Sequence, residues 1–571
     1  MSTYDDESKV GLYNRGKLNV LKGLRRNVDW EIETERVEFL FRFDLLINDW
    51  KGQFPNLRDF FRPEEIECIL KDSIKCIEEH VHYGAGERFI KFVVRTGYKD
   101  EPDVDEYLKP LLHRTTALHL AAKDNCSSYI VPELFKIYDR CDVNYIDLNG
   151  CTHFHVACKN GCDDIVEKFL EFGQDPNCLE QKSFDTPLNL ALSNGCRKVV
   201  KLLLTNGADP NSADEKGRTP LHALCSRGVD DDLAEIFFQV CDAIDKTVQV
   251  DAIDNTGVTP LRSALVLGTK RIAEVLLRRG VDPNLSNKEG LTALHHIALR
   301  QIDDDLAETF FKICDDIQQT VQIDVQNELG WTPLHLAVCN SHRKLTELLL
   351  RRGVDPNLSD KEGFTALHHI ALRETDDDLA GTFFKICDDI QQTVQIEVQN
   401  KLGWTPLHLA VCNSHRKLTE LLLRRGVDPN LSDKEGFTAL HHIALRETDD
   451  DLAGTFFKIC DDIQQTVKLE VRDKRSDTPL HLALDNGLRK LTELLLRRGA
   501  DPNSAGEKGL TALHYIALRE TDDDLPEMFF QICDDIQQTV QIDVQNKLGR
   551  TPLHLAVRNS HNKLTELLLR R

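Results

Sequence analysis

The chain lacks the features that mark membrane proteins, secreted proteins and the commonest enzymes. No apolar run approaches the roughly 18 residues of a membrane-spanning helix, so no transmembrane segment is expected. The first residues, MSTYDDE, are acidic and include no apolar stretch, so we do not expect a secretory signal. No G-x-x-x-x-G-K-[ST], G-x-G-x-x-G or G-x-S-x-G motif occurs. We therefore expect a protein that is not an enzyme and binds no cofactor.

The chain also has fewer basic than acidic residues. The sequence holds 94 Asp and Glu residues against 71 Lys and Arg residues, which gives a formal net charge of −23. A chain of this sign repels the phosphates of nucleic acids and of anionic lipids. We therefore expect other proteins as partners, with no nucleic-acid binding and no membrane insertion. Composition leaves the oligomeric state unknown.

The 17 cysteines do not follow a metal or disulfide pattern. No C-x₂-C pair occurs, and one cysteine recurs every 73 residues from Cys241 to Cys533. Two repeats of packed helices separate such positions by about 20 Å, which is too far for a disulfide. His335 and Cys339 share a helix face, but zinc requires more than two ligands. We expect reduced thiols and no metal site, as in a cytoplasmic or nuclear protein.

Repetition is what the sequence has in abundance. Residues 330–394 recur letter for letter as residues 403–467. A tetrad of the TPLH type recurs along most of the chain, and from Thr219 onward its intervals alternate between 40 and 33 residues. The thirteen tetrad threonines are Thr116, Thr152, Thr186, Thr219, Thr259, Thr292, Thr332, Thr365, Thr405, Thr438, Thr478, Thr511 and Thr551. Such fixed spacing predicts a linear array of small structural units.

Each tetrad has the residues that begin a helix. Thr332 can cap a helix whose first turn accommodates Pro333, and Gly353, after two arginines, suits the end of a second helix. Residues 332–337 and 405–410 both read TPLHLA. The unit closely resembles the ankyrin repeat, which consists of a β-turn and two helices. The resemblance implies an all-α repeat solenoid, an ankyrin array of helix-turn-helix units with short β-turn or hairpin loops.

The N-terminal part of the chain has no tetrad. We expect residues 1–60 to form a small helical region with one apolar face. The residues expected on that face are Val37, Leu40, Phe41, Leu45 and Leu46. Residues 61–112 read as a degenerate capping repeat with an acidic loop, because terminal repeats need a polar outer face. The array is expected to fill residues 113–571, with regular 73-residue double repeats from about residue 219.

The two repeat types alternate in charge. Long repeats carry aspartates before the second helix, at residues 376–378, and at its end, at residues 388–389. Short repeats carry arginines at the end of theirs, at residues 351–352. We expect the three aspartates to cap the second helix. We also expect ion pairs between neighbouring repeats, each worth about 0.2–1 kcal/mol at an exposed site.

The resemblance implies a non-enzymatic scaffold or adaptor that binds partner proteins on the concave face of the solenoid, formed by turn tips and first helices. The matching positions are Trp331, Lys361, Glu362, Phe364, Lys401, Leu402, Trp404, Lys434, Glu435 and Phe437. Mixed aromatic and charged residues on an exposed strip are typical of an interface. An equally weighted alternative is that Trp331 and Trp404 only pack against the next turn.

Two other functions stay open. One is a substrate-recognition subunit of a ubiquitin ligase or signalling complex, in which a segment outside the repeats recruits the other subunits. The other is the ankyrin portion of a membrane-active toxin or channel. That function needs an apolar segment, which residues 1–112 do not supply.

Two further expectations concern modification and the end of the chain. The Asn of each Asp-Pro-Asn turn matches the position that asparaginyl hydroxylase modifies in other ankyrin repeats. The candidate positions are Asn284, Asn357, Asn430 and Asn503. The chain ends at Arg571 directly after a second helix, without a polar capping repeat. Either a partner or a second copy covers this end, or the sequence is a fragment, which is the interpretation that we favour.

Overall fold

The structure is a computed structural model, which describes residues 16–50, 52–78, 84–123, 129–178, 185–446, 448 and 451–571. The chain divides into two compact units, Met1–Pro283 and Asn284–Arg571. Throughout the described residues the secondary structure is helical, and extended pairing is limited to isolated bridges such as Ser359 with Thr365. The fold is therefore the all-α repeat array that the sequence predicts.

The first unit begins with helices that precede the tetrads. Residues 16–26 are helical, and three more helices follow at Glu33–Ile47, Pro63–Glu78 and Ala85–Arg95. The predicted apolar face of the first of these was partly wrong. Leu40 is buried as predicted, but Leu45 is 78% exposed, and Phe39 and Phe43 fill the core instead. Their rings contact Phe61 and Phe89, so an aromatic cluster sets the register of this helix.

The remainder of the first unit consists of helix pairs. Its first helices are Ala117–Lys123, His153–Lys159, Pro187–Ser193, Pro220–Cys225 and Pro260–Leu267. Its second helices are Ile130–Leu134, Asp163–Glu171, Arg197–Thr205, Leu233–Ala243 and Lys270–Arg278. Each first helix begins one residue after a tetrad threonine. Consecutive first helices pack against each other, as do second helices, so the apolar faces are buried between neighbours.

The second unit repeats this arrangement more regularly. Its first helices are Ala293–Ala298, Pro333–Cys339, Ala366–Leu372, Pro406–Cys412, Ala439–Ala444, Pro479–Asp485, Ala512–Leu518 and Pro552–Arg558. Its second helices are Leu306–Asp316, Arg343–Arg351, Leu379–Asp389, Arg416–Arg424, Leu452–Asp462, Arg489–Arg497, Leu525–Asp535 and Asn562–Arg570. The second helices of long repeats have 11 residues and those of short repeats have 9. The second helix of the long repeat is therefore longer than that of the short repeat.

Where the tetrad has a histidine, that residue joins its repeat to the next, as His335 and His368 show. Nδ1 of His335 accepts a hydrogen bond from the backbone N–H of Thr332 at 3.0 Å. The proton of the neutral ring therefore lies on Nε2, which is 3.1 Å from the carbonyl oxygen of Phe364 in the following repeat. Equivalent bonds join His368 to Trp404, at 3.1 Å. Burial, the largest cause, lowers the pKa of His335 and of His368 to about 4.

The predicted charge ladder between repeats is present. The guanidinium of Arg352 donates two hydrogen bonds to Asp315 of the preceding long repeat, at 3.0 and 2.6 Å. The same guanidinium lies 4.3 Å from the ring centroid of Phe311. Arg351 points to the following long repeat, 4.0 Å from Asp389. A short repeat therefore holds both of its neighbours through the end of its second helix.

The three aspartates before the second helix of the long repeat do not share one role. We expected all three to cap one helix, but Asp378 makes no side-chain capping bond. Asp377 accepts from the backbone N–H of Leu379 in its own helix. Asp376 instead accepts from the backbone N–H groups of Lys417 and Leu418, which begin the second helix of the next repeat. One of the three carboxylates therefore caps a neighbour, which adds to the contact between repeats.

We predict that stability falls as the pH is lowered from about 6.5 to 4. The ordinary pKa of a histidine is about 6.5, and burial in the folded array lowers the pKa of most tetrad histidines, to about 4 at His335. Unfolding therefore takes up protons in this window and becomes more favourable. His442 contributes in the opposite direction, because its pKa is raised to about 9. It is one residue against several tetrad histidines, so the net effect keeps their sign. Urea unfolding midpoints at pH 7.5, 6 and 5 measure the effect, and a constant or rising midpoint would contradict it.

We predict that Arg352→Ala destabilises the protein more than Arg351→Ala. The first substitution removes an exposed two-bond ion pair and a cation–π contact, together worth about 1–2 kcal/mol. The second removes a pair with Glu347 in its own helix and the 4.0 Å contact with Asp389, for which we expect less than about 0.5 kcal/mol. Urea midpoints of the two variants decide this, and equal shifts would show that the stacked ion pair has no special role.

Candidate protein-binding surface

The turn tips of the second unit form a continuous row, which we call the tip row. The backbone N–H of Lys361 donates to the carbonyl of Leu329, that of Lys401 to Glu362, and that of Lys434 to Leu402, at 2.9–3.1 Å. The tips approach so closely that a Cβ atom on Gly363 would lie 2.9 Å from the Cα atom of Asn400. Gly363 also has a positive φ of 85°. A glycine is therefore required here by both space and backbone conformation.

The predicted charged site residues lie on this row. The side chains exposed to solvent are Lys361, Glu362, Lys401, Leu402, Lys434 and Glu435. Lys401 pairs with Glu362 of the preceding tip at 3.3 Å, and Leu402 is 58% exposed. Such exposed pairs contribute little stability, so their charges remain available to a partner.

The predicted aromatic site residues are only half-exposed. The ring centroid of Trp331 is 4.7 Å from that of His369 in the next repeat, and Trp404 lies 5.0 Å from His442. Phe364 contacts His369 at 5.7 Å, and Phe437 contacts His442 at the same distance. Both tryptophans thus pack against the following repeat. This contact fits the packing alternative, while their remaining exposed surface continues the tip row.

A row of exposed leucines that was not predicted from the sequence lies at the end of the first helices that is opposite to the tips. Leu299, Leu372, Leu445 and Leu518 stand at the end of the first helices of successive long repeats and are 42–45% exposed. The tip residues Leu329 and Leu548 are 63% and 70% exposed. The sequence did contain a signal for this row, since these leucines recur every 73 residues at a position outside the tetrad. Repeated exposed leucines, on helices that follow charged tips, are typical of a protein interface.

The candidate hydroxylation sites are held between repeats. Nδ2 of Asn357 donates to the carbonyl of Thr393 at 2.9 Å, and its Oδ1 accepts from the backbone N–H of Gln395 at 2.7 Å. Asn430 makes the same two bonds with Thr466 and Lys468. Asn503 bridges in the same way to Thr539 and Gln541, and Asn284 bridges to Thr320 and Gln322. These amides are therefore part of the contact between repeats.

The first unit contains a separate cavity of about 410 Å³. It lies between tips and first helices, and its walls include Val156, Leu190, Asp214, Lys216 and Arg218. Charges of both signs and apolar side chains face the same space. Among the residues that the structure describes, no group of three or more His, Cys, Asp or Glu side chains is arranged to hold a metal ion. No described helix is long and apolar enough to cross a membrane.

Comparison with known proteins agrees with this geometry. The family profile of ankyrin repeats matches residues 81–180, 118–214, 188–287, 296–385 and 382–461. The profile of a single ankyrin repeat matches residues 476–507 and 548–571. Together these matches cover most of the chain, from the helices before the first tetrad to the last residue.

Several curated proteins are similar over part of their length. The nuclear factor NF-kappa-B p105 subunit of Gallus gallus is 30% identical over 36% of this chain and 20% of its own length. The E3 ubiquitin-protein ligase KEG of Arabidopsis thaliana is 27% identical over 51% of this chain and 18% of its own. The transient receptor potential cation channel subfamily A member 1 of Homo sapiens is 25% identical over 54% of this chain and 26% of its own. The chain therefore spans about a fifth to a quarter of these relatives. From its profile matches and its stacked helix pairs, the chain belongs to the ankyrin-repeat family.

Proposed function

We propose that the chain is a non-enzymatic scaffold or adaptor that binds partner proteins on the face made by the tip row and the ends of the first helices. The observation that carries this proposal is the row of half-exposed leucines at the ends of the first helices, which the charged tips precede in the chain. Because these leucines are already more than half buried, burying the rest of each one contributes on the order of 1 kcal/mol, so several anchors must act together in a stable complex. The tip charges would then select the partner.

The partner surface is expected to be periodic. Leu372 and Leu445 occupy equivalent positions in copies of one sequence, two repeats apart, which corresponds to about 20 Å at the usual spacing of packed helices. Trp404, Leu402 and the tip lysines fall between them. An extended partner with apolar residues at that spacing would engage two copies at once, which raises its apparent affinity.

We also propose the placement of the remaining parts. Residues 1–60 form the N-terminal helical region, residues 61–112 act as the capping repeat with its acidic loop, and residues 113–571 carry the array. The packing of helix Pro63–Glu78 against Ala85–Arg95 and against the first tetrad helix supports the capping role. A cytoplasmic or nuclear location fits the array of cysteine thiols.

A second candidate function is substrate recognition within a ubiquitin ligase. Its support is the similarity to the ligase KEG, of which this chain covers 18%. Such a function would use the same binding face but would need a catalytic partner. The similarity to a cation channel gives comparable support for the array of a channel protein.

We predict that Leu372→Glu combined with Leu402→Glu abolishes partner binding without unfolding the protein. Both leucine side chains are exposed, so the substitutions remove no core contact. They weaken binding because a partner would have to bury the new carboxylates at the interface. Lys385→Glu, on an exposed second-helix position, is the matched control. Tagged proteins are purified from source cells and their partners quantified by mass spectrometry. Recovery of the same partners by all three proteins would refute the assignment of this face, and recovery of ubiquitin-conjugating enzymes would favour the second function.

We predict that a pool of Asn357 and its equivalents is hydroxylated in cells. The Asp-Pro-Asn turn is half-exposed, but both polar atoms of the Asn357 amide are bonded to the next repeat. Access by a hydroxylase therefore requires local opening of this turn, so modification should be partial and should rise in destabilised variants such as Arg352→Ala. Peptide mass spectrometry detects the added oxygen. Unmodified peptides from normoxic cells, in both proteins, would count against these sites.

A further inference from the structure

Cys412, His442 and Asp433 form a hydrogen-bonded chain across two repeats. Sγ of Cys412 lies 3.4 Å from Nδ1 of His442, and Nε2 of His442 lies 3.1 Å from Oδ2 of Asp433. Cys412 ends the helix Pro406–Cys412, and His442 lies in the next first helix, Ala439–Ala444. The side chains of Asp433 and His442 are 1% and 5% exposed, whereas Cys412 is half-exposed. Cys412 is therefore the most accessible of the three residues.

The carboxylate of Asp433 is fixed by its own turn. Its Oδ1 accepts hydrogen bonds from the backbone N–H groups of Glu435 and Phe437, both at 2.9 Å. Its Oδ2 is left for His442. Burial acts to raise the pKa of this carboxyl, but the bonds from His442 and the backbone outweigh burial and lower it. Asp433 is thus a permanent anion that orients the imidazole.

The imidazole of His442 carries a proton at neutral pH. Burial acts to lower its pKa, but the bonds to Asp433 and to Cys412 outweigh burial and raise it to about 9. The other titratable groups facing this ring are His408, 5.1 Å away, and the adjacent His441. Burial lowers the pKa of both to about 4, so they are neutral. A cationic imidazole beside a sulfur favours the thiolate, which is the reactive form.

The preceding copy provides a contrast within the same chain. Cys339 and His369 are the equivalents of Cys412 and His442, and His369 also contacts its aspartate, Asp360, at 3.3 Å. Among the described hydrogen bonds, however, none joins the sulfur of Cys339 to His369, and burial raises the pKa of the Cys339 thiol to about 11. The periodic buried cysteines, such as Cys387, show the same rise for the same reason.

We propose that Cys412 is a nucleophilic thiol that exchanges with low-molecular-weight disulfides and carries a mixed disulfide. In the reactive form Sγ of Cys412 is the thiolate and the imidazole of His442 is protonated on both nitrogens, and this thiolate attacks one sulfur of the disulfide. A new S–S bond forms as the old one breaks. The departing thiolate takes the proton from His442 and leaves as a thiol. Cys412 is oxidised to the mixed disulfide and half of the reagent is reduced, so atoms and electrons balance.

The site lies where such an adduct would alter a surface. Cys412 is at the end of a first helix, in the row that also contains the exposed Leu372 and Leu445 of the neighbouring repeats, and His442 contacts Trp404. The proposal does not depend on the proposed binding function, because it concerns only the chemistry of the thiol. A failure of either leaves the other standing.

The test is exchange of the whole 571-residue chain with glutathione disulfide at pH 7, followed by trypsin and mass spectrometry. Trypsin distinguishes the two copies, because Lys401 stands where the earlier copy has Glu328. Cys412 is therefore found in the peptide 402–416 and Cys339 in the peptide 313–343. We expect glutathionyl transfer to Cys412 to be about tenfold faster than to Cys339, as for a thiol beside a cationic imidazole.

Two variants test the role of His442. His442→Gln should slow exchange at Cys412 about tenfold. His442→Tyr should slow it similarly and preserve the fold, because Tyr515 occupies the equivalent position of a later repeat. The matched control is His369→Gln, which makes the same change in the other copy and should leave the Cys412 rate unchanged. An unchanged Cys412 rate in His442→Tyr, or equal wild-type rates at Cys339 and Cys412, would overturn the proposal.

Discussion

The fold depends on contacts that no single repeat can make alone. A tetrad histidine is held by its own threonine through Nδ1 and donates through Nε2 to the carbonyl of the following repeat, as His335 does to Phe364. The asparagine of each Asp-Pro-Asn turn bridges in the same direction. Because these groups are buried or half-buried, leaving them unpaired would cost about 1–3 kcal/mol each. A repeat therefore has a strong requirement for a neighbour of compatible backbone.

The alternation of long and short repeats adds a second requirement, which is one of charge. Asp376 caps the second helix of the next short repeat, and the arginines of a short repeat hold the aspartates on both sides. Two adjacent short repeats would bring arginines together, and two adjacent long repeats would bring aspartates together. Like charges in contact are unfavourable. The double repeat, and not the single helix pair, is therefore the smallest unit that can be added to this array without such a conflict.

The sequence predicted much of the fold because its signals are local. Capping by Thr332, the first-turn position of Pro333 and the glycine at Gly353 require only nearby residues, and the helices begin and end as expected. The prediction that three aspartates cap one helix failed for a long-range reason, since Asp376 turns to a helix 41 residues away. The apolar face around Leu45 was wrong because Phe39 and Phe43 are drawn into an aromatic cluster with distant partners.

At the candidate site, too, the sequence predicted the features that depend on nearby residues and missed those that depend on the next repeat. The tip lysines and glutamates were found from sequence because the tip is a local turn, and Leu402 is exposed as a tip residue should be. The half-buried state of Trp331 was not decided, because its contact is His369, a residue of the next repeat. Cys339 was considered only with His335, four residues before it in the same helix, whereas the hydrogen-bond partner of Cys412, its copy, is His442 of the next repeat. Contacts between side chains one helix turn apart are easy to predict from sequence. In a stacked array, however, the residue that a side chain contacts is often in the next repeat. The chemistry particular to this chain is therefore found at the junctions between repeats, where identical sequences such as those around Cys339 and Cys412 can differ in their contacts.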